Sequence, residues 1–264
     1  MQSCNTELAI KSRKLSFKEI PAPKNMNNGK TNREAKESNG MAAFSKAYLV
    51  LYNSVQTAGW SYILIKTVKY LLLNQAVEGL WNDCGTSVTI FQSLAALEVI
   101  HCIVGFVPSS ALVTFMQVFS RVFMVWGIIW PIEKVQSCPT LPLTLIAWGI
   151  TEVVRYSYYC CNLLGSPPKA LTWCRYSLFL GLYPAGVSGE LGNMLYSLST
   201  IKKKQLYSIS LPNSYNISFS YYYFCLCLMA SYAPIFPQLF NHMLRQRKKI
   251  LGSSAGKEVT KKVN

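Results

Sequence analysis

The chain has 264 residues, of which 51% are hydrophobic and only 14% charged, against about 25% charged residues in an ordinary soluble domain. Its formal net charge is +15, and the two ends hold most of it: nine Lys/Arg against four Glu in residues 1–46, and seven against one in residues 245–264. No aromatic-interleaved basic surface or nucleic-acid motif accompanies these tails, so composition points away from nucleic acid and towards a multi-pass membrane protein with positive flanks.

In chain order, residues 1–46 are rich in Lys, Asn, Ser and Glu, with Pro21 and Pro23, and are expected to form a disordered cytoplasmic tail. No apolar run leads the chain, so the first membrane segment is expected to act as an uncleaved anchor. A helix needs about 20 apolar residues to cross a bilayer. Six stretches qualify: about 48–65 (or on to 73), 88–107, 111–130, 141–163, 174–198 and 220–240. Turn-forming residues separate them, notably Pro108-Ser-Ser, Pro131 to Pro139 and Gly165-Ser-Pro-Pro. The expectation is an all-α bundle of six transmembrane helices over 47–244, followed by a disordered basic tail over 245–264.

Six crossings put both tails on one side, and their charge puts that side in the cytoplasm. Lys202-Lys203-Lys204 then falls on the lumenal side, against the rule, but so does the sequon Asn216-Ile217-Ser218, which is glycosylated only there. The chain ends Lys261-Lys262-Val263-Asn264, the form of a di-lysine retrieval signal for the endoplasmic reticulum. The nine cysteines form no C-x-x-C, so no metal site and no redox cofactor is expected.

Ionisable groups inside membrane segments are costly and mark sites. Here they are Glu98, Arg121, Glu152, Arg155 and Glu190, with Gln117 and Tyr183 as polar companions. Gln117 and Arg121 share a helix face, and Glu152 and Arg155 are spaced to pair along one helix. Glu98 has no local partner, so Arg121 of the next helix is its expected one. The fifth segment packs Pro184, Gly186, Gly189 and Gly192 into one helix, which predicts a kink beside a cavity. Tyr183 and Glu190 lie seven apart, on one side of that helix and about 10 Å apart along its axis. A phenol and a carboxylate facing one cavity form an acid/base pair.

One motif pulls elsewhere. Residues 101–108 read His-Cys-Ile-Val-Gly-Phe-Val-Pro, close to the H-C-x-x-G-x-x-R loop of cysteine phosphatases. Phosphate needs an arginine or a nest of backbone N–H groups. Pro108 supplies neither, so phosphatase chemistry is not expected.

The stretch Tyr-Pro-Ala-Gly-Val-Ser-Gly-Glu at 183–190 resembles the signature of the very-long-chain 3-hydroxyacyl-CoA dehydratases, known as protein-tyrosine-phosphatase-like proteins for their proline in place of the arginine. The similarity runs from about Ala47 to Arg247. It includes Leu-Glu-Val-Ile-His-Cys at 97–102, Gln117 with Ser120-Arg121, Trp148, Thr151-Glu152, Arg155-Tyr156 and Pro234-Ile235-Phe236-Pro237. The resemblance implies loss of water from a (3R)-3-hydroxyacyl-CoA to give a trans-2-enoyl-CoA, the third step of fatty-acid elongation, with no cofactor. It carries the catalytic pair onto Tyr183 and Glu190, without saying which is acid and which base. Glu98, Gln117, Arg121 and Ser188 are expected to support the site, with Ser188, Arg121 or the amides of Gly186 and Gly189 facing the thioester oxygen. Lys169, Arg175 and Arg155 are expected to meet coenzyme A at the cytoplasmic rim. Expected partners are the very-long-chain 3-hydroxyacyl-CoA, membrane lipid, and the condensing enzyme, ketoacyl reductase and enoyl reductase of elongation. The competing class is a membrane scaffold or transporter without catalysis. Broken helices suit transporters, but no paired inverted half is visible, and a scaffold has no use for both Tyr183 and Glu190.

Overall fold

The computed structural model describes residues 28–212 and 216–263, with side chains from 43 to 251. The order is α1 (Asn28–Asn74), α2 (Leu80–Leu94), α3 (Leu97–Ile103), α4 (Ala111–Phe123), a π-helical segment (Met124–Ile129), α5 (Glu133–Gln136), α6 (Thr140–Leu164), α7 (Lys169–Ser177), α8 (Phe179–Lys204) and α9 (Tyr221–Val263). Among the described residues the only sheet-like pairing is an antiparallel bridge between Ile209 and Phe219, which closes the α8–α9 connection.

The helical segments expected from hydropathy all appear, with two breaks that apolar patterning does not signal. Helices α2 and α3 share one apolar run but part at Ala95–Ala96, and Leu178 parts α7 from α8. The tails differ from expectation. Residues 28–46 belong to α1, and α9 continues through the basic segment to Val263, while residues 1–27 lie outside the described residues. Three helical stretches, Leu80–Ile103, Ala111–Ile129 and Tyr221–Leu251, are long and apolar enough to cross a membrane. Two other long helices, α6 and α8, carry Glu152, Arg155, Glu190 and five glycines between them, which dilutes their apolar signal.

Helix α6 is the hub, packed between α1 and α8. The core gathers Trp60 and Ile63 of α1, Leu80, Cys84 and Val88 of α2, Met124 to Ile129, Leu141, Leu145 and Trp148 of α6, and Met194 and Ile201 of α8. The rest of the arrangement is inverted relative to a water-soluble bundle. Gln56, Thr67, Gln92, Glu152 and Asn193 are buried, whereas Leu72, Ile103, Leu112 and Tyr223 are each about two-thirds exposed or more. Apolar outside and polar inside is what a hydrocarbon solvent selects.

Two local devices set the helix positions. In the π-helical turn the amide of Trp130 reaches back five residues to Val125, and the Tyr221 hydroxyl of α9 donates to the Gly127 carbonyl at 3.0 Å. A side chain at residue 127 would meet that hydroxyl, so glycine lets α9 dock there. The fifth predicted segment is divided at Leu178 into α7 and α8. Helical assignment runs on through Pro184, and the glycines of α8 make close contact with α6. A Cβ on Gly189 would lie 2.4 Å from Thr144 Oγ1 and 3.0 Å from the Thr144 amide, and one on Gly192 would lie 2.4 Å from Thr140 Cγ2. Small residues let helix backbones approach closely where lipid gives no hydrophobic drive. The buried Asn193 bolts the seam, accepting from Thr140 Oγ1 at 2.7 Å and donating to Thr144 Oγ1 at 2.9 Å.

Candidate active site

Close packing of α8 on α6 turns the other side of α8 toward α9. Tyr183 and Glu190 occupy that side. The Tyr183 ring stacks on Phe236 of α9, with centroids 4.9 Å apart and planes 7° from parallel, and on Phe240 one turn further along. Glu190 is held by both oxygens: Trp148 Nε1 of α6 donates to Oε1 at 2.8 Å, and the Tyr232 hydroxyl of α9 donates to Oε2 at 2.8 Å. Tyr232, Phe236 and Phe240 recur every four residues, so one face of α9 covers both members of the pair. Among the described residues no cation pairs with this carboxylate. Two neutral donors orient the carboxylate and leave a lone pair on each oxygen, which is the equipment of a proton acceptor.

Ser188 and the backbone amides expected to assist are elsewhere. Ser188 is exposed and lies about 140° around the helix from Tyr183. Gly186 and Gly189 are interior to a continuous helix, so their amides serve its own ladder.

A second polar cluster sits beside the first. Arg155 reaches Glu98 with two nitrogens, at 2.8 and 3.1 Å, and Glu152 with Nε at 2.7 Å. Arg121 pairs with the other oxygen of Glu152, and the Tyr156 hydroxyl donates to Glu98 at 2.5 Å. Four charges of balanced sign thus close on themselves with every carboxylate oxygen engaged, the form in which buried ions are tolerated. The partners differ from expectation. Glu98 takes Arg155 rather than Arg121, and Arg121 crosses to Glu152. Gln117 is exposed, and its carbonyl merely accepts from Ser120. The Arg121 guanidinium also lies 5.5 Å from the centre of the Trp148 ring, so the ion cluster abuts the residue that holds Glu190.

At the rim, Arg155 is committed to carboxylates and is a poor candidate for coenzyme A. Arg175 is wrapped by Tyr158 and Tyr159, with centroids 4.9 and 4.7 Å away, and donates to the Tyr159 hydroxyl at 3.0 Å. Lys169 opens α7 and is exposed.

The phosphatase-like loop is a helix terminus. Gly105 has φ +84°, its amide donates to Cys102 O, and the Phe106 amide donates to His101 O at 2.9 Å. This is the Schellman pattern that closes α3. His101 is buried against Tyr52, accepts or donates at Tyr48 Oη at 3.0 Å, and faces Phe106. The N–H groups that would cradle phosphate in a phosphatase cap a helix here, and Cys102 Sγ lies 2.9 Å from Ser109 Oγ.

Sequence reasoning missed Tyr232, one tyrosine in an aromatic-rich helix. Its four-residue spacing to Phe236 was the available signal.

Comparison with known proteins completes the picture. Residues 92–253 match the family described as protein tyrosine phosphatase-like protein, PTPLA. The chain is 48% identical over 205 residues to human very-long-chain (3R)-3-hydroxyacyl-CoA dehydratase 2, covering 78% of this chain and 81% of that one. It is 46% identical over 211 residues to mouse dehydratase 1, covering 80% and 75%, and 35% identical over 215 residues to the Arabidopsis thaliana dehydratase PASTICCINO 2, covering 81% and 97%. No solved structure matches. With its proline-terminated His-Cys loop folded into a helix cap, a family match over residues 92–253 and relatives matched along most of their length, the chain belongs to the protein tyrosine phosphatase-like family.

Proposed function

We propose that this chain dehydrates very-long-chain (3R)-3-hydroxyacyl-CoA to the trans-2-enoyl-CoA, the third step of fatty-acid elongation. The relatives' names give the reaction class, and one observation supports its location: Tyr183 and Glu190 share the α8 face that α9 covers. Glu190 takes the C2 proton, since its carboxylate has two neutral donors and no counter-ion. The electron pair of the C2–H bond forms the C2–C3 double bond, the C3–O bond breaks, and Tyr183 gives its phenolic proton to the departing hydroxyl, which leaves as water. Return of the proton from Glu190 to Tyr183 resets the site. General acid–base chemistry of this kind needs no metal and no redox cofactor.

The membrane arrangement belongs to the same reading. Six crossings, by α1, α2–α3, α4 with its π turn, α6, α7–α8 and α9, put both termini in the cytoplasm. Helix α7, with Lys169 in its first turn and Arg175 in its last, then meets the polyanionic coenzyme A at the cytoplasmic rim, and the acyl chain extends among the helices. The exposed Asn216, in the α8–α9 connection, faces the lumen, and Lys261-Lys262 keeps the protein in the endoplasmic reticulum beside the condensing enzyme and the reductases of elongation.

The test is conversion of 3-hydroxyacyl-CoA substrates of several lengths by purified protein, followed as enoyl-CoA formed. Conversion of the very-long-chain substrates is expected; none at any length leaves a scaffold. Synthesis with microsomes should give a glycosylation shift that Asn216→Gln abolishes, and protease added outside should clip both ends. Protection of either end contradicts six crossings.

A further inference from the structure

Glu190 is gripped by two groups that the elimination does not consume. Trp148 is 1% exposed, wedged between Arg121 and α8, and donates its indole N–H to Oε1. Tyr232 donates to Oε2 from α9. A carboxylate bonded through one oxygen still turns about its terminal torsion, which has a broad profile. Bonded through both oxygens, by donors on two different helices, it is fixed in plane. Each oxygen has two lone pairs, so one per oxygen remains for the substrate proton. Tyr232 has a second property. It lies one helical turn before Phe236, whose ring stacks on Tyr183, so a single face of α9 fixes the base by a hydrogen bond and the acid by ring contact.

We propose that Tyr232 and Trp148 are positioning residues for the dehydration: together they clamp Glu190 by one oxygen each, and Tyr232 ties the base to the aromatic ladder that holds the acid. The inference rests on the dehydratase reading and adds to it residues that touch no reacting atom. It explains why α9 matters to chemistry although it contributes neither the acid nor the base. It also gives the ion cluster of Glu98, Arg155, Glu152 and Arg121 a role one step removed, as the wall against which the Trp148 indole rests.

The test is a mutant cycle in the full-length protein in detergent. Tyr232→Phe removes one hydroxyl and keeps the ring. The lost bond is one to a charged acceptor, so kcat should fall about 10- to 100-fold with KM changed less than about threefold. The same change made in a Glu190→Ala background should cost less than about twofold, because the hydroxyl then has no carboxylate to position. Tyr223→Phe, an exposed tyrosine on the same helix, should behave as wild type. Trp148→Phe should repeat the pattern of Tyr232→Phe. If Tyr232→Phe costs the same factor with and without Glu190, its role is structural and the inference is overturned. If it keeps wild-type kcat, the inference is likewise overturned while the dehydratase reading stands. If wild type itself converts no 3-hydroxyacyl-CoA, the reading beneath it fails first.

Discussion

Two groups of carboxylates lie side by side in this bundle, and their company differs. Glu98 and Glu152 are closed in by the guanidiniums of Arg155 and Arg121, with the Tyr156 hydroxyl filling the last position. Among the described residues, the Glu190 carboxylate is held by an indole and a phenol. In the cluster every carboxylate oxygen is already engaged by a guanidinium or a hydroxyl, and ion pairs replace the hydration these buried charges have lost. An acid held by neutral donors is oriented without being neutralised. The same side chain thus serves as cement in one place and as reagent in the other, and the neighbours decide which.

The comparison is broken most forcefully at the reagent. Tyr183→Phe removes the acid and keeps the stacked ring, and turnover should fall by about 10²–10⁴, the usual contribution of one positioned acid or base, with substrate binding retained. A double change with Glu190→Gln should be little worse than the more damaged single change, since both serve one elimination.

At the cement the main loss should be of stability. Glu152→Leu strands the charges of Arg121 and Arg155, and removing one partner of a buried pair costs about 3–5 kcal/mol. Thermal melting of the purified protein in detergent should show it. Arg121→Leu should lower activity more than Lys169→Leu, because it unseats the wall behind Trp148; equal small effects would detach the cluster from the site.

Next in size is the α6–α8 seam. Gly189→Ala places a methyl 2.4 Å from Thr144 Oγ1 and 3.0 Å from the Thr144 amide, and overpacking of this kind costs about 1–3 kcal/mol. Turnover should fall with stability, and trimming Thr144 to Ala, which removes the Oγ1 contact, should not fully restore it, since the backbone contact remains. The smallest effect is expected at Cys102→Ser. The thiol sits behind a helix cap, so turnover should stay within about threefold of wild type, consistent with a group outside general acid–base chemistry.

Much of this was legible in the chain. Apolar runs of bilayer length marked the helices, and the resemblance at Tyr183 to Glu190 offered the candidate pair, which the fold sets against one face of α9. What stayed hidden is long-range. The i,i+3 rule offers Glu152 to Arg155, a contact at 2.7 Å, but no local rule joins Arg155 to Glu98 across 57 residues. Gln117 shares a face with Arg121, yet shared spacing does not say which side of a residue meets protein, and Gln117 is exposed. The glycines and Pro184 of α8 suggested a kink beside a cavity; spacing along one segment does not show that Gly189 and Gly192 meet Thr144 and Thr140 of α6. Tyr232 was concealed by the abundance of tyrosine in this chain, 16 in all.

The most direct measurement sets Glu190→Gln against wild type, with turnover of a very-long-chain 3-hydroxyacyl-CoA and melting temperature recorded on the same preparations. Gln keeps the shape of the side chain and removes the proton acceptor. The expected result is a melting temperature near that of wild type and a turnover about 10²–10⁴ lower. A folded Glu190→Gln protein that keeps more than half of wild-type turnover would contradict the assignment of Glu190 as the base.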